Sequence, residues 1–187
     1  MTLEQKAYFI SGVSGVGKSS TMFDLRKLLP QDMFDIRDFD ERGVPDGGGD
    51  EWHGKETKNW LDIAAKNAMV GKSTIICGFN EPRRIKAVHS DPHPSFELIL
   101  LDASPDTIRK RLRGRYPTKE SEKEIERASG VTLEKFIQDC VNFLPEMRNS
   151  CEKDGCLIIE TDNKLPSEIA KEISDHILNG IVRSNIF

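Results

Sequence analysis

Long apolar runs are missing from this sequence, and nowhere do residues stay apolar for the roughly twenty positions that a membrane-spanning helix needs. Positive charge is not in excess either. The 27 Lys and Arg face 31 Asp and Glu, a formal net charge of -4, so neither a nucleic acid nor an anionic membrane is expected as the main partner. The first residues, Met1-Thr2-Leu3-Glu4-Gln5-Lys6, lack the charged-then-apolar form of a signal peptide, and a cytoplasmic protein is expected. Cysteine is scarce, and Cys77, Cys140, Cys151 and Cys156 include no C-x-x-C pair. With no histidine beside Cys151 and Cys156 to complete a zinc site, all four read as free thiols. The histidines are scattered too; His89 and His93 flank Asp91 where Pro92 and Pro94 mark a loop. Internal repeats and low-complexity tracts are also lacking. The 187 residues predict one domain, 1–187, with a real core and little room for a second.

What the sequence does have is a glycine loop. Gly12-Val13-Ser14-Gly15-Val16-Gly17-Lys18-Ser19 fits the phosphate-binding pattern G-x-x-x-x-G-K-[ST] at every fixed position. Ala7-Tyr8-Phe9-Ile10 before it suits a buried strand, and Met22, Phe23, Leu25, Leu28 and Leu29 after it recur at helical spacing. A triphosphate needs several donors converging on one concave surface. Glycines let successive backbone N–H groups turn inward, and the N-terminus of the following helix adds partial positive charge. Lys18 can then reach the β and γ phosphates while the Ser19 hydroxyl holds Mg²⁺, with Ser20 beside it.

The residues that follow suggest an acceptor side. Met33 to Arg37 reads as a second strand running into Asp38-Phe39-Asp40, and alternation sends both carboxylates to one side at the strand's carboxyl end, where ligands gather in open α/β sheets. One can take a proton from an acceptor hydroxyl and the other can hold Mg²⁺, or both can cap a turn. Asp40, nearer the flexible acidic loop of residues 41–51, takes the base role and Asp38 the metal side. That loop has three consecutive glycines, and a helix from Trp52 to about Val70 follows; together, about 40–70, they form the acceptor side. Trp52 either stacks on a planar substrate or anchors the helix. Ser73 to Cys77 is a β-branched run suited to burial on both faces. Gly78, directly after it, leaves room for close approach, with Phe79 next; Arg83 and Arg84 either bind an acceptor anion or stay solvated.

Phe96 to Leu101 predicts a fourth strand ending at Asp102, which competes with Asp38 and Asp40 for Mg²⁺. Ser104-Pro105 opens a helix carrying Arg109, Lys110, Arg111, Arg113 and Arg115, a density suited to neutralising a transferring phosphoryl group. From Gly114 to Gly130 charge is dense and apolar residues sparse, a mobile excursion within a lid of about 113–131. A helix from about Leu133 to Lys153, kinked at Pro145, a strand Cys156 to Glu160 and a final helix with Ile169, Ile173, Ile177 and Leu178 complete the chain.

On these residues the sequence resembles the small P-loop kinases, with shikimate, gluconate and nucleoside-monophosphate kinases nearest in pattern. The resemblance implies a three-layer α/β P-loop NTPase fold: a five-stranded parallel sheet flanked by helices, with a lid after the fourth strand. Asp38 and Asp40 match the Asp-x-Asp of shikimate kinases, and Gly78-Phe79 with Arg83 resembles the acceptor-side Gly-Phe-Pro-Arg of adenylate kinases. Arg111 and Arg115 match lid-entry arginines. Thr161 to Lys164 falls where such kinases pack adenine, which implies Asn163 and Lys164 as contacts. Two departures stand out. The three-glycine run of shikimate kinases after the third strand is absent, and Asn80-Glu81 interrupts the adenylate-kinase motif.

The expected activity is transfer of the γ-phosphoryl of Mg·ATP to a hydroxyl or phosphate of a small acceptor: a nucleoside, nucleotide, sugar or antibiotic. Lys18, Asp40, Arg111 and Arg115 are the catalytic candidates. ATP is expected to meet Gly12, Val13, Ser14, Gly15, Val16, Gly17, Lys18, Ser19, Ser20, Arg111, Asn163 and Lys164. The acceptor is expected to meet Asp38, Asp40, Arg42, Trp52, Gly78, Phe79 and Arg83, and Mg²⁺ to meet Ser19 and Asp38. Asp35, Asp38, Asp40, Glu41, Asp46, Asp50 and Glu51 against Arg37 and Arg42 disfavour a strongly anionic acceptor unless Arg83 and Arg84 turn inward. The alternative is a nucleotide-dependent switch or regulatory ATPase without an acceptor. Its guanine form is weakened, because Asn163-Lys164-Leu165-Pro166 lacks the Asp that reads guanine. A monomer or homodimer is expected.

Overall fold

The computed structural model describes residues 4–45 and 49–184, so Asp46, Gly47 and Gly48 of the expected glycine-rich loop lie outside the described residues. Two five-residue runs without polar alternation form the middle of the sheet. Ala7–Ser11 (β1) and Ser73–Cys77 (β3) are buried at every position, as strands covered on both faces must be. Phe34–Asp38 (β2), Phe96–Asp102 (β4) and Leu157–Glu160 (β5) complete a parallel sheet of order β2-β3-β1-β4-β5. In register, Ala7 lies between Thr74 and Phe96.

Among the described residues seven helices surround the sheet: Lys18–Leu28 (α1), Asp50–Met69 (α2), Pro82–Val88 (α3), Pro105–Arg115 (α4), Lys119–Ser129 (α5), Leu133–Lys153 (α6) and Pro166–Ser184 (α7). Because successive strand residues face opposite ways, β1 feeds two cores. Tyr8 and Ile10 join Leu25 of α1, Ile108 and Leu112 of α4, and Ile173 of α7. Ala7 and Phe9 join Trp60 and Leu61 of α2, Ile85 of α3 and Met147 of α6. Each such Leu or Ile removed from water is worth about 1.5–3 kcal/mol, so both helical layers are held firmly on the strands whose carboxyl ends make the site.

The stretch read as a mobile excursion contains a helix. Thr118 and Ser121 form a reciprocal capping box at the start of α5, and Gly130 closes it in the left-handed conformation. No α5 residue is fully buried, and Ile125 only packs against the core edge. Sparse apolar content therefore marked a weakly anchored helix, formed by Lys, Glu and Ala with good helix propensity, rather than a loop.

Candidate active site

The carboxyl end of β1 passes into the glycine loop beneath α4. A Cβ on Gly12 would sit 2.4 Å from the Leu101 carbonyl oxygen of β4, so only glycine lets the chain leave the strand here. The first turn of α1 contains no acid and no side chain caps it, leaving its positive end available to an anion. Lys18 lies in that turn, and its Nζ donates to the carbonyls of Gly12 at 2.7 Å and Val13 at 2.9 Å. Burial lowers its ammonium from 10.5 to about 8, outweighing the nearby Cys140, Asp40 and Cys77. An ammonium parked on carbonyls is one that arriving phosphates can draw away.

A cavity of about 840 Å³ opens over this loop. Ser14, Gly15, Val16, Gly17, Lys18, Ser19 and Ser20 line one wall, and Asp38, Asp40, Cys77, Gly78 and Phe79 line another at the ends of β2 and β3. Arg111, Arg115 and Tyr116 come from the end of α4, Ile125 from α5 and Phe136 from α6, while Lys164 precedes α7 and Pro166 and Ile169 belong to its first turn. The structure thus gathers most of the sequence candidates. Gly12 and Val13 contribute carbonyls to Lys18 from below. Asn163 is exposed, with φ 57, and does not line the cavity.

Asp38 and Asp40 divide their work. The Asp40 N–H donates to Asp38 Oδ1 at 2.9 Å, so the turn is closed by Asp38 and the Asp40 carboxylate stays available. Burial, reinforced by the Asp38 charge, raises Asp40 above the usual carboxylate range. The third acidic candidate is committed elsewhere. Asp102 accepts from the Ala103 N–H at 2.9 Å and pairs with Arg148 Nε of α6 at 2.7 Å, beside a separate cavity that Glu160 and Asp162 also line. The hydroxyl of Ser19 and the carboxylates of Asp38 and Asp40 share the main cavity and are hard oxygen donors, the chemistry Mg²⁺ requires.

The arginine run separates by contact. Arg109 pairs with Asp106 and Arg113 with Glu134, both away from the cavity. Arg111 donates from Nη1 to the carbonyls of Gly15 and Val16 and to Thr161 Oγ1, and from Nη2 to the Thr161 carbonyl at 2.7 Å. It therefore ties the glycine loop to the segment after β5. Arg115 also lines the cavity, from an exposed position.

On the acceptor side, Arg42, Trp52 and Arg83 do not line the cavity. Arg42 Nε pairs with Glu56 Oε1 at 2.9 Å and Arg83 Nε with Glu81 Oε1 at 3.2 Å. Trp52 packs edge-on against Phe39 and His53, the anchoring role of its two readings. Gly78 makes room for protein: a Cβ there would lie 2.1 Å from the Cβ of Phe39. Sequence reasoning missed a buried network beneath this wall. Ser11 Oγ donates to the Asn80 carbonyl at 2.6 Å and accepts from its N–H, while Asn80 Nδ2 donates to Thr57 Oγ1, which donates to the His53 carbonyl. These bonds pin α2 to the strand that feeds the glycine loop. The interruption of the adenylate-kinase motif at Asn80 was the signal for it. Phe136 of α6, which lines the cavity, was also passed over.

No protein-family model matches the chain. A Pyrococcus furiosus protein provisionally named adenylate kinase is 28% identical over 177 residues, spanning 93% of this chain and 85% of that protein. Among solved structures, a shikimate kinase from Acinetobacter baumannii in complex with shikimate aligns with a TM-score of 0.57 at 14% identity, covering 94% of each chain. An APS kinase of Mycobacterium tuberculosis in complex with AMPPNP and APS aligns at 0.56 and 16% identity, covering 94% of this chain and 98% of that one. Identities this low show a shared fold, the one expected from the sequence: a parallel five-stranded sheet between helices. No helix among the described residues is long and apolar enough to cross a membrane.

Proposed function

We propose that this small P-loop kinase moves the γ-phosphoryl group of Mg·ATP to a hydroxyl of a small molecule, with Asp40 as the base. The observation that carries the reading is one cavity lined by both Lys18 of the glycine loop and the Asp40 carboxylate at the end of β2, whose proton affinity burial raises. The loop N–H groups from Ser14 to Ser20 bind the phosphates, and Lys18 leaves the Gly12 and Val13 carbonyls for the β and γ oxygens. Ser19 and Asp38 would hold the Mg²⁺ that accompanies the nucleotide, which would supply positive charge against the negative charge of the phosphates. Arg115 stabilises charge on the transferring group, and Arg111 holds the loop against the segment of Asn163 and Lys164, where the base sits.

The acceptor hydroxyl gives its proton to Asp40 between Gly78, Phe79 and Phe136. Arg42, Trp52 and Arg83 brace that wall from behind. Residues 113–131 act as a lid that excludes water, and about 40–70 form the acceptor-side loop and helix of a single domain. A cytoplasmic monomer or homodimer fits this role.

Asp40→Asn keeps the size and removes the base. It is expected to cut acceptor-dependent ADP release by roughly 10²-fold or more, the scale of a lost general base, while Mg·ATP binding stays near wild type. A switch or regulatory ATPase removes no acceptor proton, so its slow basal hydrolysis would be left little changed. If no acceptor stimulates the wild type and the variant hydrolyses ATP equally fast, the kinase reading fails.

A further inference from the structure

The acceptor end of the cavity, at the ends of β2 and β3, is lined by Asp38, Asp40, Cys77, Gly78 and Phe79, with no cationic side chain among these described residues. The arginines that sequence position brings near are all held elsewhere. Arg42 is paired to Glu56, Arg83 to Glu81, and Arg84 to both Asp50 at 3.0 Å and Glu81 at 3.4 Å. None of the three lines the cavity. Their partners hold them there for a physical reason: Glu81 is 2% exposed and Glu56 5% exposed. Swinging Arg42 out to a ligand would strand the buried Glu56, and drawing both Arg83 and Arg84 away would strand Glu81, each of which is strongly unfavourable.

The cations that do line the cavity belong to its other end. Among the described residues these are Lys18, Arg111, Arg115 and Lys164. Arg111 spends its donors on Gly15, Val16 and Thr161, and Lys164 is paired with Glu172 at 2.7 Å. Lys18 and Arg115 remain, and a triphosphate claims both. A phosphate or carboxylate on the acceptor would meet the Asp40 carboxylate and the incoming phosphoryl group with no cationic side chain among the described residues left free to offset them, a like-charge juxtaposition that selects against such partners.

We infer that the acceptor is an uncharged or cationic hydroxyl compound with an apolar face, and that anionic compounds are excluded from this site. The inference rests on the kinase reading above and narrows it. Phe79 supplies an apolar wall, Asp40 receives the hydroxyl proton, and an amino group on the acceptor gains from facing Asp40.

Matched pairs differing by one anionic group test it: adenosine against its 5′-monophosphate, cytidine against its 5′-monophosphate, glucose against glucose 6-phosphate, and glucosamine against glucosamine 6-phosphate. ADP release from Mg·ATP by the full chain is followed with each compound, and binding of each to the Mg·ADP-loaded protein is measured by calorimetry. In at least one pair, the neutral or amino member is expected to stimulate release tenfold or more above its anionic partner, with no anionic member binding. An anionic member that binds or stimulates as well as its partner overturns the inference and leaves the kinase reading intact. Silence across the whole panel, with Mg·ATP still bound, counts against a small-molecule acceptor and takes the inference with it.

Discussion

The two ends of the cavity handle charge in opposite ways. At the nucleotide end, donors face inward: the uncapped start of α1, the Lys18 ammonium on two weak carbonyl partners, and Arg115 from α4. At the acceptor end the basic side chains are pulled back into ion pairs with buried acids, and carboxylates face the space. One end attracts negative charge while the other repels it. On the proposed reading, such a site would draw a polyanion to one defined place and keep a second anion from competing for it, so that specificity would come from the withheld cations as much as from the offered ones.

The strongest way to break this contrast is to remove the cation that defines the nucleotide end. Lys18→Ala is expected to weaken Mg·ATP binding and lower turnover on the order of 10²–10³-fold, as loss of a donor aimed at transition-state charge does. The thermal midpoint should hold or rise slightly, because a half-buried ammonium is removed along with its desolvation. Calorimetric titration that finds unchanged ATP affinity would remove Lys18 from the site.

The same contrast decides how much could be read in advance. The nucleotide end is made of contiguous backbone, so a short motif encodes it; strand, loop and helix all appear where Ala7 to Leu29 placed them. The acceptor end is assembled from side chains of β2, α2 and β3, and its meaning lies in pairings that sequence distance hides. Arg83 and Arg84 were legible as arginines near a strand end, but not as partners of Glu81 and Asp50. Gly78 was legible as a close approach, but not that Phe39, turned inward between two aspartates, makes it. Asp102 matched a metal-ordering aspartate in type and position until Arg148, on an element 46 residues later, claimed it. The helix α5 escaped because capping by Thr118 and Ser121, not apolar periodicity, sets its start.

Gly78→Ala sharpens the comparison from the acceptor end. Its new Cβ would meet the Cβ of Phe39 at 2.1 Å, so the turn carrying Asp38 and Asp40 has to move. Overpacking of this kind costs about 1–3 kcal/mol, or roughly 2–12 °C in thermal midpoint for a chain of this size. Acceptor-stimulated turnover should fall further than nucleotide affinity, since the glycine loop lies across the cavity and keeps its own contacts. A melting curve like wild type, or equal losses at both ends, would mean that the two walls are not independent.

The smallest expected effect is the dependence of nucleotide binding on pH through Lys18. In the free protein, burial holds its ammonium at about 8 instead of 10.5. Bound phosphates favour the charged form, so the pKa rises in the complex and binding above pH 8 must be accompanied by proton uptake. Affinity is therefore full below about pH 8 and declines as pH rises through it, by about tenfold between pH 7 and pH 9. Stability of the free protein runs the other way. Between pH 8 and 10.5 the unfolded chain binds more protons at this residue than the folded one, so the penalty of burying the ammonium is present below 8 and is relieved as pH rises toward 10.5. Calorimetry with Mg·ADP at pH 7, 8 and 9 measures the first effect, and buffers of different ionisation enthalpy count the proton. Lys18→Ala should flatten the profile, whereas Asp40→Asn should leave it in place. A tenfold loss that survives Lys18→Ala would assign the titration to another group and show that the nucleotide end draws its anion without the charge of this lysine.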